Sequence, residues 1–230
     1  SGIVQPASFL LIAWFAGRST GRVELEDAAL GAALIALWGA TVWSAGAILR
    51  GERWQGTLSQ ILARPTGLGT VLLGKTLGAT LRSAVFIGAS VAATAALLGH
   101  AVSIERPLQF VIALVAVLVS ALVLGFLLSS LFVLTRAAGR ISEALLYPIF
   151  ILGGMLVPVS LLPAWVQPLS AVVSLRWGGE LMTAAAEGEA QPGKAWLMLV
   201  ATTTAYAVLA RLSFERVLVR SRREGALDLY

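Results

Sequence analysis

The sequence predicts an all-α integral membrane protein with six transmembrane helices. Three observations predict it. First, 58% of the 230 residues are hydrophobic and 13% are charged, against roughly 45–50% and about 25% in a soluble domain. Second, mean hydropathy is +0.86 in a chain of 24.1 kDa. A soluble fold of that size cannot hide so much apolar surface. Third, apolar runs close to the roughly 20 residues that cross a bilayer recur between short polar turns. The lipid bilayer is therefore an expected partner. No internal repeat or low-complexity tract appears, so residues 1–230 read as a single transmembrane domain.

Ile3 to Gly17, the first element of the chain, is an apolar run of about 15 residues, short for a span. The chain opens with Ser-Gly rather than Met, so either the true start or the rest of the first span is expected before Ser1. The run lacks a basic leader and does not read as a signal peptide. Ala28 to Leu49 is a second span and holds Trp38 and Trp43. Thr70 to Gly99 is a third, too long for one crossing. Its first half, with Lys75, is expected to project into water, with Arg82 snorkelling at the inner interface. Pro107 suits a first helical turn and opens a fourth span over Leu108 to Leu134. Ile141 to Val157 is a fifth, with a kink expected at Pro148. Pro158, Pro163 and Pro168 then break an apolar run that holds Trp165. Each piece is too short to cross, so outward-facing re-entrant or interfacial half-helices are expected between spans 5 and 6. Ala195 to Phe214 is the sixth span.

Between spans 2 and 3 lies Arg50 to Lys75, the longest polar break, with an amphipathic helix of its own. Trp54, Leu58, Ile61 and Leu62 fall at i, i+4, i+7 and i+8 on one face. Pro65 ends the helix, and Gly67 and Gly69 loosen the chain beyond it. Such a segment lies on a membrane surface or docks into a partner's groove.

Charge sets the topology. If that break is cytoplasmic, 12 of the 17 basic residues lie on the same side, as the positive-inside rule requires. Both termini are then cytoplasmic. The formal charge of +5 reports orientation rather than nucleic-acid binding. Richness in Ala, Arg and Gly points to a GC-rich bacterium, and the chain is expected in its inner membrane.

Few residues offer chemistry. The chain has no cysteine, so disulfides and thiolate metal centres are excluded. His100 is the single histidine, which rules out His-based triads and HExxH sites; no catalytic or metal site is expected. Gly69 to Thr76 matches the G-x-x-x-x-G-K-[ST] pattern of a phosphate-binding loop. That chemistry needs a strand before the loop, and here a polar helix and a proline turn precede it. Helix packing through Gly74 and Gly78 is the alternative use. Carboxylates are scarce in the spans, whereas ion-coupled carriers place ionisable groups near the midplane. Glu143 comes nearest, one turn after a basic loop. Trp38, Trp43, Phe126, Tyr147 and Phe150 are candidates for lining a substrate path, although such aromatics also simply pack.

Two runs carry a family resemblance. Glu52-x3-Gly56-Thr57-Leu58-x2-Ile61-Leu62-x2-Pro65, followed by Gly74-Lys75, resembles the signature of type-2 ATP-binding-cassette (ABC) exporter permeases. Gly153-Gly154-Met155-Leu156-Val157-Pro158, then Leu162-Pro163 and Pro168, resembles their outer segment. Ser59 and Gln60 depart from the pattern, standing where an acidic residue is common. The amphipathic elbow helix that opens family members is not seen.

The resemblance implies a multi-pass permease without a catalytic site of its own. It implies separate ABC nucleotide-binding subunits that hold ATP and magnesium, and a second permease subunit, identical or paralogous. Glu52 to Ala63 would be the coupling helix, with Glu52, Arg53, Trp54, Gly56, Thr57, Leu58, Ile61 and Leu62 meeting the ATPase. Pro158, Pro163, Trp165 and Pro168 would mark the outer gate. Apolar, aromatic-bearing spans suit efflux of a hydrophobic or amphiphilic molecule, drug or lipid-like. Polysaccharide or glycolipid export by the same mechanism, and a carrier or scaffold not coupled to ATP, are the alternatives.

Overall fold

A computed structural model of the chain describes residues 7–8, 10–12, 15, 25–54, 68–98, 104–133, 144, 148–154, 159 and 162–223. These residues form helices and turns, with no strand among them. The main elements are α1 (Leu25–Trp54), α2 (Leu68–Leu97), α3 (Pro107–Val133), α4 (Gln167–Ser170), α5 (Ser174–Ala186) and α6 (Gly193–Arg223).

Among the described residues, three helical segments are long and apolar enough to cross a membrane: Gly69–Leu97, Pro107–Leu131 and Gly193–Arg216. Ala29–Ser44 is a shorter apolar stretch within α1. Most of the expected first span and much of the expected fifth lie outside the described residues, apart from isolated helical positions near the start and a helical stretch at 148–152.

The helices overrun the hydropathy boundaries. α1 continues through Arg50, Gly51, Glu52, Arg53 and Trp54 instead of stopping at Leu49. α6 continues past Phe214 into the basic tail as far as Arg223. Arginine and glutamate are good helix formers, so a change from apolar to charged residues ends the lipid-compatible stretch without ending the hydrogen-bond ladder. α2 is one unbroken helix of 30 residues, about 45 Å long at 1.5 Å per residue.

α3 is the central element. It packs against α1, α2, α5 and α6. Its buried stripe of Ala113, Val117, Ala121, Leu124 and Leu128 steps by three or four residues and so keeps to one face. Leu34, Trp38 and Val42 of α1, Leu181 of α5 and Leu199 of α6 complete the apolar core with it. The opposite face of α3 exposes Val111, Ile112, Val115 and Val119, as a lipid-facing helix does.

In the stretch where half-helices are expected, the chain forms two short helices, α4 and α5. Pro168 occupies the first turn of α4, where its missing N–H costs nothing. Val173 is extended (φ −84°, ψ 106°) and separates the two helices. α5 ends in a Schellman turn: Gly188 takes φ +75°, and Glu189 N–H donates to Ala184 O at 2.8 Å. That backbone shape favours glycine over any residue with a Cβ.

Candidate functional site

Two ends of the bundle hold the residues of interest. At one end α1 closes with the backbone of Glu52, Arg53 and Trp54. Gly56, Thr57, Leu58, Ile61 and Leu62 lie outside the described residues, as do His100 and Glu143. The α1 helix reaches Trp54 directly from the core, with no hinge between them.

Close packing marks the same half of the bundle. A Cβ on Gly125 of α3 would sit 3.0 Å from Thr76 Cγ2 and 3.3 Å from Thr41 Cγ2. The two threonines turn their hydroxyls back onto their own helices: Thr41 Oγ1 donates to Leu37 O at 2.8 Å, and Thr76 Oγ1 to Leu72 O at 2.7 Å. Their methyl groups are left to face the glycine, so three helices meet at one point. Gly69 of α2 lies under the ring of Phe214, which meets Phe126 at a centroid distance of 5.8 Å.

These contacts give Gly69 and Thr76 of the phosphate-loop match a packing role. Residues 69–76 are helical, and beyond the first turn their N–H groups belong to the helix ladder, not to an anion cradle. Gly74 and Gly78 have open space where a Cβ would stand, so among the described residues neither makes the close helix contact expected of it. Gly69 and Gly125 do.

Of the five candidate aromatics, three share the apolar core and one faces out of it. Trp38 is 3% exposed and Phe150 is fully buried; both belong to the apolar core, and Phe126 packs against it. Trp43 is 44% exposed. Five residues along a helix is about 140° around it, so Trp43 faces away from Trp38. Tyr147 lies outside the described residues. Trp38 Nε1 is buried and has no hydrogen-bond partner among the described residues, as is also true of Ser120 and Ser129 Oγ on α3.

At the other end, α5 packs into the bundle against α1, α3 and α6. Gly178 abuts Val117 of α3, and Gly179 lies close to Leu34 of α1. The Tyr206 hydroxyl of α6 donates to Val172 O. At its upper end the hairpin is tied by Glu105 N–H to Ala186 O and Arg106 N–H to Ala185 O, both 3.1 Å. Gln191 locks the same region: its Nε2 reaches Leu181 O at 3.1 Å and Gln109 O at 3.3 Å, while its Oε1 accepts from Trp196 Nε1 at 3.1 Å. Of the expected outer-gate residues, Pro163, Trp165 and Pro168 are exposed on the approach to α5, with Trp165 77% exposed. Pro158 lies outside the described residues.

One charged cluster inside this hairpin is not among the sequence candidates. The Arg176 guanidinium stacks over the Trp177 ring, 4.5 Å from its centroid. Its Nη1 donates to Ser170 Oγ, and its Nε faces Glu180 Oε1 at 3.4 Å. Lys194 Nζ of α6 lies 5.9 Å from the same ring centroid. Trp177 is held in place by its own Nε1, which donates to Ala171 O at 2.9 Å. The signal available in the sequence is an arginine just after a proline-broken apolar run too short to cross.

A family model described as "ABC-2 type transporter" matches residues 2–186 of the chain. No curated protein and no solved structure matches it.

Proposed function

Because the chain belongs to the ABC-2 type transporter family, we propose that it is the transmembrane subunit of an ATP-driven exporter. Its cargo is a hydrophobic or amphiphilic small molecule, and ATP is hydrolysed by separate ABC subunits. The observation that carries this reading is the extent of the family match, which includes the whole stretch from Glu52 to Ala63 as well as α4 and α5 up to Ala186. The continuity of α1 supports it. From Trp38 in the core to Trp54 at the helix end is 16 residues of unbroken helix, about 24 Å of stiff rod. A force applied at Glu52, Arg53 and Trp54 by a nucleotide-binding subunit has a direct path to the core. The contact of α1, α2 and α3 at Thr41, Thr76 and Gly125 shares that force between three helices.

The apolar interior, dotted with the buried hydroxyls of Ser120, Ser129 and Ser130, suits an amphiphile better than a long polar chain. The second permease subunit and the cytoplasmic termini belong to the same reading.

The test is reconstitution with the ABC ATPase subunit that copurifies with the chain. Trp54→Ala and Glu52→Ala are expected to uncouple ATP hydrolysis from export. Unchanged export in both variants would count against the lever. Transport driven by a proton gradient without ATP would replace this reading with a secondary carrier.

A further inference from the structure

Arg176 sits well inside the bundle. Two contacts bracket it along the chain. On one side Gly178 meets Val117, ten residues into α3. On the other Val172 O accepts from Tyr206, thirteen residues into α6. Both helices have apolar stretches able to cross a membrane. At 1.5 Å per residue these two contacts lie about 15–20 Å along α3 and α6 from the ends that the hairpin closes, while Lys194 in the first turn of α6 reaches the Trp177 ring beside Arg176. A cation among membrane-crossing helices is expensive and marks a pathway or a partner.

Its partners among the described residues do not use up its capacity. A guanidinium carries five N–H donors and accepts nothing. Here Nη1 serves Ser170 Oγ, and Nε has Glu180 at 3.4 Å, at the long limit for a hydrogen bond. Glu180 is 42% exposed and Arg176 20%, so the carboxylate leans outward while the guanidinium remains accessible. Lys194 brings a second positive charge to the same Trp177 ring. Both cations thus lie against one indole, with the Glu180 carboxylate beside Arg176. Next to them in the chain, Leu169 and Val172 present exposed apolar side chains.

We propose that Arg176, with Lys194, forms an anion site within the membrane that takes the acidic head of an amphiphile, phosphate or carboxylate, while the exposed Leu169 and Val172 meet its chain. Trp177 fixes both cations through its ring, and the incoming anion displaces Glu180 from Arg176. The place of this site in transport rests on the permease reading, which it narrows from amphiphiles in general to acidic ones. Binding itself needs no ATPase.

The experiment uses the full chain in lipid nanodiscs, without ATPase. The probes are a monoacyl glycerophosphate, the monoacylglycerol of the same chain length, and inorganic phosphate. Wild type is expected to bind the phosphate-bearing lipid about tenfold or more tightly than the neutral one, the scale of one charge-assisted hydrogen bond. Inorganic phosphate should compete poorly. Arg176→Gln should bring the two lipids level, and Arg176→Lys should keep part of the preference. Glu180→Gln should strengthen binding of the phosphate lipid, because it removes the competing carboxylate. If Arg176 and Glu180 only brace α5, both neutral variants would lower stability together and neither would change the preference; that result overturns the site. Equal binding of the two lipids by wild type overturns it as well. Displacement by inorganic phosphate with no dependence on the chain overturns the amphiphile. Failure of ATP-driven export with the lipid preference intact would strike the permease reading and leave the anion site standing.

Discussion

Gly178 of α5 and Val117 of α3 are packed so closely that a methyl group on the glycine would overlap Val117 Cγ2. This contact seats α5 against the central helix, with Gly179 doing the same toward Leu34 of α1. Gly178→Ala is expected to lower the apparent melting temperature in detergent, with an overpacking cost of about 1–3 kcal/mol. Val117→Ala opens the space, so the double variant should be more stable than the sum of the two single losses. Additive losses would show that the hairpin is seated elsewhere.

Trp38 separates packing from a role in transport. Its ring is buried in the core while its Nε1 has no partner among the described residues. Trp38→Ala should cost about 3–5 kcal/mol, as large core truncations do. Trp38→Phe removes an unsatisfied donor whose burial costs about 1–3 kcal/mol, which offsets the smaller ring. Stability close to wild type is therefore expected for Trp38→Phe in thermal unfolding. A fall in export with stability kept would mean that Nε1 meets the cargo.

Gln191 ties three elements through one side chain, bonding to the backbone of Gln109 and Leu181 and to the indole of Trp196. Gln191→Leu keeps the bulk and removes all three bonds. The expected loss is about 1–3 kcal/mol, since partly buried polar groups are left unpaired. Faster proteolysis between Glu187 and Gly193, together with a lower melting temperature, would register it. Intact resistance would mean that the Glu105 and Arg106 backbone bonds to α5 suffice.

Hydropathy encodes some features of this fold and is blind to others. Composition identifies a helical membrane chain, and the prolines at 163 and 168 mark where the long helices give way to the short α4 and α5. Helix ends are less legible: Arg50, Glu52 and Arg53 repel lipid yet favour helix, so the second span reads as ending five residues before α1 does. Neighbours across space are least legible. The pair Gly178-Gly179 carries no periodic signal, because its use depends on which helices α5 enters between. Arg176 counts in the sequence simply as one basic residue of an outer loop, since its place is set by Val117 and Tyr206, some sixty and thirty residues away in the chain.

The unbroken α1 makes the lever mechanically testable. A proline at Ala47 removes one ladder bond and clashes with the preceding turn, costing about 3 kcal/mol or more and bending the helix. Position 47 lies between the buried Trp38 and Val42 and the Glu52–Trp54 end, so the bend interrupts the rod without touching either end. Ala47→Gly at the same place costs about 1 kcal/mol and keeps the ladder. With the ATPase bound, Ala47→Pro is expected to lower export per ATP severalfold. Ala47→Gly should stay near wild type, and ATPase binding should survive in both. A proline variant that assembles and exports like wild type would show that force reaches the bundle by another helix, with α2 the next candidate because Gly69 and Thr76 tie it to Phe214 and Gly125.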